Sequence, residues 1–133
     1  MRADLTGKTY YIAGVANKKS VAYHTAKALI AQGAECVFSG QHEEALKKIN
    51  KIFPESKAFI LDVENEEQMS SLKTHFNKGP DGILHSMAFA NFEEGPRPFH
   101  ETKLQDYLQA CHISSFSLVQ ISNALKDKLS NNA

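Results

Sequence analysis

The sequence predicts an α/β fold: a Rossmann-like, three-layer arrangement around a parallel sheet. Two observations carry this. Short β-branched or aromatic runs alternate with segments whose apolar residues recur at helical spacing, the signature of parallel strands joined by right-handed crossovers. The first such run, Thr9 to Ala13, leads through Gly14 into a helix. That unit gathers free backbone N–H groups and a helix dipole at one point, where anions such as pyrophosphate bind. The strand order implied is 3-2-1-4, with ligands at the carboxyl ends of strands 1 and 4.

Each element has its own justification. Met1 to Gly7 is a short lead-in, and Thr9 to Ala13 has the composition of a buried strand. Gly14 permits a sharp turn and a close backbone approach to a ligand. From Ser20 the period changes, with Val21, Ala22, Ala26, Leu29 and Ile30 at helical intervals. Ser20 is placed to cap this helix, and Gly33 to end it in the left-handed conformation. Glu35 to Ser39 reads as strand 2, ending in Gly40-Gln41. Glu43 to Phe53 reads as a helix with Leu46, Ile49 and Phe53 on one face, stopped by Pro54. Lys57 to Leu61 is strand 3, closed by Asp62-Val63. Glu66 to Asn77 is a third helix with Met69, Leu72 and Phe76 as its stripe. Gly82 to Met87 is strand 4, and residues 88–101, holding Pro96 and Pro98, form a loop. Lys103 to Leu129 is a long helix whose apolar positions are Leu104, Leu108, Cys111, Phe116, Val119, Leu125 and Leu129. A bend is expected at Ile113 to Ser115, where β-branched and serine residues weaken helix. No repeat or linker divides the chain, so residues 1–133 read as one domain.

Composition narrows the function. Hydrophobic residues make up 42% and charged residues 23%, the balance of a globular chain. Fifteen basic residues offset fifteen acidic ones, which argues against nucleic acid as a partner. No apolar run has the length of a membrane span, and no signal-peptide core opens the chain. Cys36 and Cys111 lack metal-ligand spacing and read as buried, reduced thiols of a cytoplasmic protein. The six histidines are scattered, and His100-Glu101 has Leu104 where a zincin helix needs histidine, so no metal is expected. Neither a Gly-x-Ser-x-Gly elbow nor a P-loop occurs.

Three segments converge at the predicted switch point: Gly14 to Val21, Asp62-Val63, and Ser86 to Ala90. The glycine turn does not meet the G-x-G-x-x-G dinucleotide pattern, and by itself also describes an ordinary β-α connection. Ser20 can cap the helix, hold a phosphate, or both. Gln41 stands where an acidic residue would take adenosine ribose hydroxyls. No Arg or Lys follows within a helical turn, which favours NAD over a 2′-phosphorylated cofactor. Asp62 can accept from an adenine amino group beside the Val63 backbone, or merely cap the next segment. Ser86-Met87-Ala88 lacks bulky branched side chains, so backbone can approach a nicotinamide ribose, with Phe89 and Ala90 facing a substrate cleft.

The run Gly14-Val-Ala-Asn-Lys-Lys-Ser20-Val-Ala22, then Asp62-Val63, His85-Ser-Met-Ala-Phe-Ala90 and His112-Ile-Ser-Ser-Phe-Ser117, closely resembles the bacterial NADH-dependent enoyl-acyl-carrier-protein reductases. These form a divergent branch of the short-chain dehydrogenase/reductase superfamily. The resemblance extends from about Leu5 to Leu129. It implies reduction of the 2,3 double bond of an acyl-carrier-protein thioester in fatty-acid elongation, in a homotetramer packed through the helix matching Ser115 to Leu129. By matching position it implies NADH contacts at Gly14, Ser20, Val21, Gln41, Asp62, Val63, Ser86, Met87, Ala88 and Ile113. Ala90 matches the acyl pocket.

The family's catalytic tyrosine and lysine, seven residues apart on a helix after a fifth strand, have no counterpart in these 133 residues. Tyr11 and Lys18 share that spacing but bridge a strand and its loop. The expectation is therefore a cofactor-binding half, truncated before strands 5–7, with no catalytic residue and no activity alone. Two other readings stay open: another short-chain dehydrogenase, against which the Ser-Met-Ala strand end speaks, and a non-catalytic NAD-binding or decoy subunit.

Overall fold

The computed structural model describes residues 3–133. Four parallel strands form one sheet in the order β3-β2-β1-β4, as the sequence predicts. They are β1 (Thr9–Ala13), β2 (Glu35–Gly40), β3 (Ala58–Ile60) and β4 (Gly82–His85). The intervening helices are α1 (Val21–Ile30), α2 (Glu43–Ile52) and α3 (Glu66–Ser71), and α4 (Leu104–Cys111) and α5 (Ser117–Leu125) follow the last strand. Central β1 pairs with β2 from Thr9 opposite Glu35 to Ala13 opposite Ser39. It pairs with β4 from Tyr10 opposite Gly82 to Ala13 opposite His85.

Side chains alternate across a strand, so β1 feeds two separate cores. Ile12 faces Ala22 and Ala26 of α1 and Ile49 of α2, together with Phe38 and Phe53. The small alanines of α1 let that helix lie close to the sheet, while Val21 and Ile30, expected in its stripe, are exposed. Tyr11 and Ala13 face the other way, against Met69, Leu72, Phe76, Ile121 and Leu125. Tyr11 is fully buried, and its hydroxyl pairs with the Ser39 hydroxyl at 2.8 Å. Burial pushes the Tyr11 phenol well above its usual range. The same cause raises the Cys36 thiol to about 11, so it stays protonated.

Several expected boundaries move. β3 is shorter than Lys57 to Leu61, and β4 stops at His85 rather than Met87. The third helix is α-helical only to Ser71 and continues as a 3₁₀ turn over Leu72–His75. The Ser70, Ser71 and Thr74 hydroxyls each donate to the carbonyl three residues back, competing with the regular α-helical ladder. Residues 88–101, expected to be loop throughout, close with a 3₁₀ turn at Phe99–Glu101.

The long last helix changes most. It is interrupted at the anticipated place by a π-helical turn, His112–Phe116. The expected stripe is corrected: Leu104, Leu108, Phe116 and Val119 are exposed, while Ile113, Ser117, Ile121 and Leu125 are buried. A π turn adds a residue, so everything before it is rotated relative to everything after. Cys111, expected inside, is exposed, and α4 as a whole buries none of its residues.

Candidate functional site

Because all four strands run parallel, their carboxyl ends open on one side, and a cleft of about 260 Å³ lies there. Every strand exit contributes to its wall. Gly14 comes from β1, Gln41 follows β2, Asp62 and Val63 follow β3, and Ser86, Met87 and Ala88 follow β4, with Ile113 from the π turn. Eight of the ten expected cofactor contacts are thus brought together from segments up to a hundred residues apart.

Ser20 and Val21 are the two that do not line this cleft. The Ser20 hydroxyl donates to the Asn17 carbonyl at 2.7 Å and accepts from the Tyr23 amide at 3.3 Å. It is the N-cap of α1, as its sequence position implied, and both roles occupy it. Val21, at the first position of the helix, is 68% exposed.

Asp62 combines its two readings. Its Oδ1 accepts from the Glu64 amide at 3.0 Å, and its carbonyl accepts from the Asn65 amide, so it closes the turn into α3. Its own amide donates to Gln68 Oε1 at 2.7 Å. The residue remains only half-buried and stands between Leu61 and Val63, both buried, in the cleft wall. Beyond Gln41, His42 caps α2 through Nδ1, which accepts from the Ala45 amide at 3.3 Å. Glu43 and Glu44 occupy the first turn. Carboxylates there suit the helix dipole and repel an added phosphate.

Val15 and Ala16, within the predicted Gly14 to Val21 segment, also line the cleft, as do Ser39, Gly40, Leu61 and Ala45, which the sequence did not single out. Adjacency to predicted strand exits was the available signal for Ser39, Gly40 and Leu61. Gly40 packs so tightly on α2 that a Cβ would sit 3.1 Å from Ala45 Cβ. Phe89, expected at the substrate side, lines this first cleft.

Ala90 lies elsewhere. It lines a second cleft of about 220 Å³ with Asn91, Arg97, Lys103, Asp106 and Tyr107. Glu94 holds both Lys103 Nζ, at 2.8 Å, and Arg97, and Asn91 donates to Asp106 Oδ1 at 3.0 Å. The chain thus places Ala88 and Phe89 in one cleft and Ala90 in the next. Tyr11, buried against Ser39, has its hydroxyl committed in the core. Among the described residues no three His, Cys, Asp or Glu side chains converge as a metal site would require.

Residues 14–133 match the family model described as enoyl-(acyl carrier protein) reductase. The chain belongs to that family. It is 36% identical, over 131 residues, to the enoyl-[acyl-carrier-protein] reductase [NADPH] of Staphylococcus aureus strain NCTC 8325, covering 92% of this chain and 51% of the relative. It is 34% identical over 134 residues to the enoyl-[acyl-carrier-protein] reductase [NADH] of Rickettsia prowazekii strain Madrid E, covering 96% and 51%. The crystal structure of enoyl-[acyl-carrier-protein] reductase (NADH) from Aquifex aeolicus VF5 superposes with a TM-score of 0.87 at 29% identity, over 96% of this chain and 52% of that one. The chain therefore spans about half the length of these relatives, and that half has the predicted Rossmann-like sheet.

Proposed function

We propose that this chain supplies the dinucleotide-binding half of an enoyl-acyl-carrier-protein reductase, with NADH as its cofactor. The observation that carries the reading is the cleft at the strand carboxyl ends, whose wall brings Gly14, Gln41, Asp62, Val63, Ser86, Met87, Ala88 and Ile113 together. This donor set fits a dinucleotide. Asp62 offers a carboxylate between apolar neighbours for an adenine amino group, and the half-exposed backbone of Gly14 and Ser86 stands in the same cleft wall for the phosphates and second ribose. Ser20 and Val21 act at one remove, by starting the helix whose dipole faces the turn. NADH over NADPH is favoured by Gln41 and the Glu43-Glu44 pair, although relatives of both preferences exist.

When bound, the nicotinamide supplies hydride to the β-carbon of an enoyl thioester. The part played by these residues is to bind and orient. Ala90, which lines the second cleft, is the residue we assign to the acyl side. None of the four tyrosines lines the first cleft: Tyr11 is buried, Tyr10 and Tyr23 are half-buried at β1 and α1, and Tyr107 lines the Ala90 cleft from α4. A missing positioned acid typically lowers the rate by about 10²–10⁴. The working form is an oligomer in the cytoplasm. Leu104, Leu108, Phe116 and Val119 present apolar surface for a second copy. No helix among the described residues is long and apolar enough to cross a membrane.

The test is fluorescence titration with NADH, paired with NADH oxidation on crotonyl thioester, using protein freed of host reductase. Binding without turnover is expected of these 133 residues. Absent binding would sink the dinucleotide reading. Turnover abolished by a bulky residue at Ser86 would overturn the assignment of catalysis to residues outside this chain. Binding without turnover is equally the behaviour of a non-catalytic subunit, which co-purification with a full-length reductase would single out.

A further inference from the structure

The π turn between α4 and α5 is held by a side-chain relay that reaches back to the sheet. In an unbroken α-helix the Ile113 carbonyl would accept the Ser117 amide. Here that amide donates one residue further back, to the His112 carbonyl, which is the defining bond of the π turn. The Ser117 hydroxyl takes its place, donating to the Ile113 carbonyl at 2.7 Å. Ser117 is fully buried, so the lone pairs of its oxygen also need a donor. His85 Nε2, from the last residue of β4, lies 2.7 Å away. With the hydroxyl proton committed to Ile113, the only balanced arrangement has Nε2–H donating to Ser117 Oγ.

The π turn in turn sets one wall of the cleft. Ile113 lines it directly. Ser114, the next residue, accepts from the Phe89 amide at 3.0 Å and donates back to the Phe89 carbonyl at 3.3 Å. Phe89 thus has both backbone groups tied to the turn, just after Met87 and Ala88 leave β4 for the cleft wall. The path from His85 to Phe89 runs through Ser117, Ile113 and Ser114, and returns to the same strand exit four residues later.

We propose that His85 is a positioning residue for the nicotinamide end of the cleft, acting through Ser117 on the π turn. This rests on the dinucleotide reading, and the adenine end, formed by Gln41 and Asp62, lies outside the relay. The inference therefore separates the two halves of the cofactor. Loss of the Nε2–H donor loosens Ile113 and Phe89 and weakens NADH, while ADP, which lacks the nicotinamide and its ribose, is unaffected.

The test compares NADH and ADP affinity in His85→Ala, Ser117→Ala and His85→Gln. Gln places an amide N–H near the position of Nε2 and is the rescue. NADH should bind about threefold to tenfold more weakly to the alanine variants, the worth of one hydrogen bond. ADP affinity should hold, and His85→Gln should recover most of the NADH loss. Equal weakening of both nucleotides, or no weakening, overturns the positioning role. If His85→Ala does not fold, His85→Asn takes its place, since its amide reaches only the Nδ1 position. Hydrogen exchange at the Phe89 amide, measured without nucleotide, gives a second readout. Faster exchange in the alanine variants, slowed again in His85→Gln, supports the relay even if wild-type protein binds neither nucleotide and the dinucleotide reading falls. Exchange that is unchanged in all variants overturns it.

Discussion

Gly14 and Ser86 meet so closely that a Cβ on Gly14 would lie 2.0 Å from the Ser86 carbonyl oxygen. The obstacle is backbone, which cannot swing aside as a side-chain tip would. Gly14 also sits at φ +103°, a conformation that side chains strain to adopt. Its absent side chain lets the exits of β1 and β4 close together beneath the cleft. Gly14→Ala should cost at least about 2 kcal/mol of stability, from strain and overpacking together. Urea unfolding of the two proteins measures it, and a variant as stable as its parent would refute the contact.

Cofactor choice follows from the other end of the cleft. No cationic side chain lines it beside Gln41, and Glu43 and Glu44 begin α2. Fluorescence titration should give tighter binding of NADH than of NADPH. Asp62→Ala should weaken NADH by roughly 0.5–1.5 kcal/mol, the net worth of one hydrogen bond. Part of that loss can arise from the Glu64 amide that Asp62 also holds, so thermal stability needs to be followed alongside affinity.

Association is the expected fate of the exposed apolar side chains on α4 and α5. Leu104 is 71% exposed and Val119 57%, and Leu108, Phe116 and Leu118 are exposed near them. Among the described residues β4 has β1 as its one neighbour in the sheet, which leaves its outer backbone groups as a second template for pairing. Sedimentation at micromolar concentration should show species larger than a monomer. A single monomeric boundary would contradict this.

Acid sensitivity should trace to Asp81, at the opposite end of the sheet. Its Oδ2 accepts from the Thr9 amide at 2.9 Å and its Oδ1 from Lys8 Nζ at 3.0 Å. These bonds, the amide first, hold the carboxyl at about 2. An unfolded aspartate titrates near ~3.9. A carboxyl held low in the folded state stabilises it fully above the unfolded value. That contribution fades as the pH falls through about 4 towards about 2. Asp81→Asn should lose about 1.5–3 kcal/mol at neutral pH, the scale of a hydrogen bond to a charged group. Its stability should also fall less steeply over that acid window. Parallel pH profiles for the two proteins would argue against the assignment.

What the sequence alone determined is local in origin. The period of apolar residues marked four strands and the helices between them, and their alternation fixed the parallel order β3-β2-β1-β4. Ser20 as a cap and Gly33 as a left-handed terminator were readable because capping depends on a few consecutive residues. Most of the cleft was readable too, since parallel strands must bring Gly14, Asp62 and Ser86 to one side. The weakened stretch at Ile113 to Ser115 marked where the last helix changes.

Tertiary structure decided which way that helix faces. Leu104 and Val119 look like core in a linear pattern, but α4 buries none of its residues and α5 turns the face of Ser117, Ile121 and Leu125 inward. Nothing local identifies a serine as fully buried when its partner, His85, lies 32 residues earlier on a strand. Nor does the sequence distinguish a glycine that yields space to a ligand from one that yields it to Ser86. Spacing along the chain reports propensity and period. The bond that satisfies a buried hydroxyl, or the backbone that forbids a side chain, depends on which distant segment packs there.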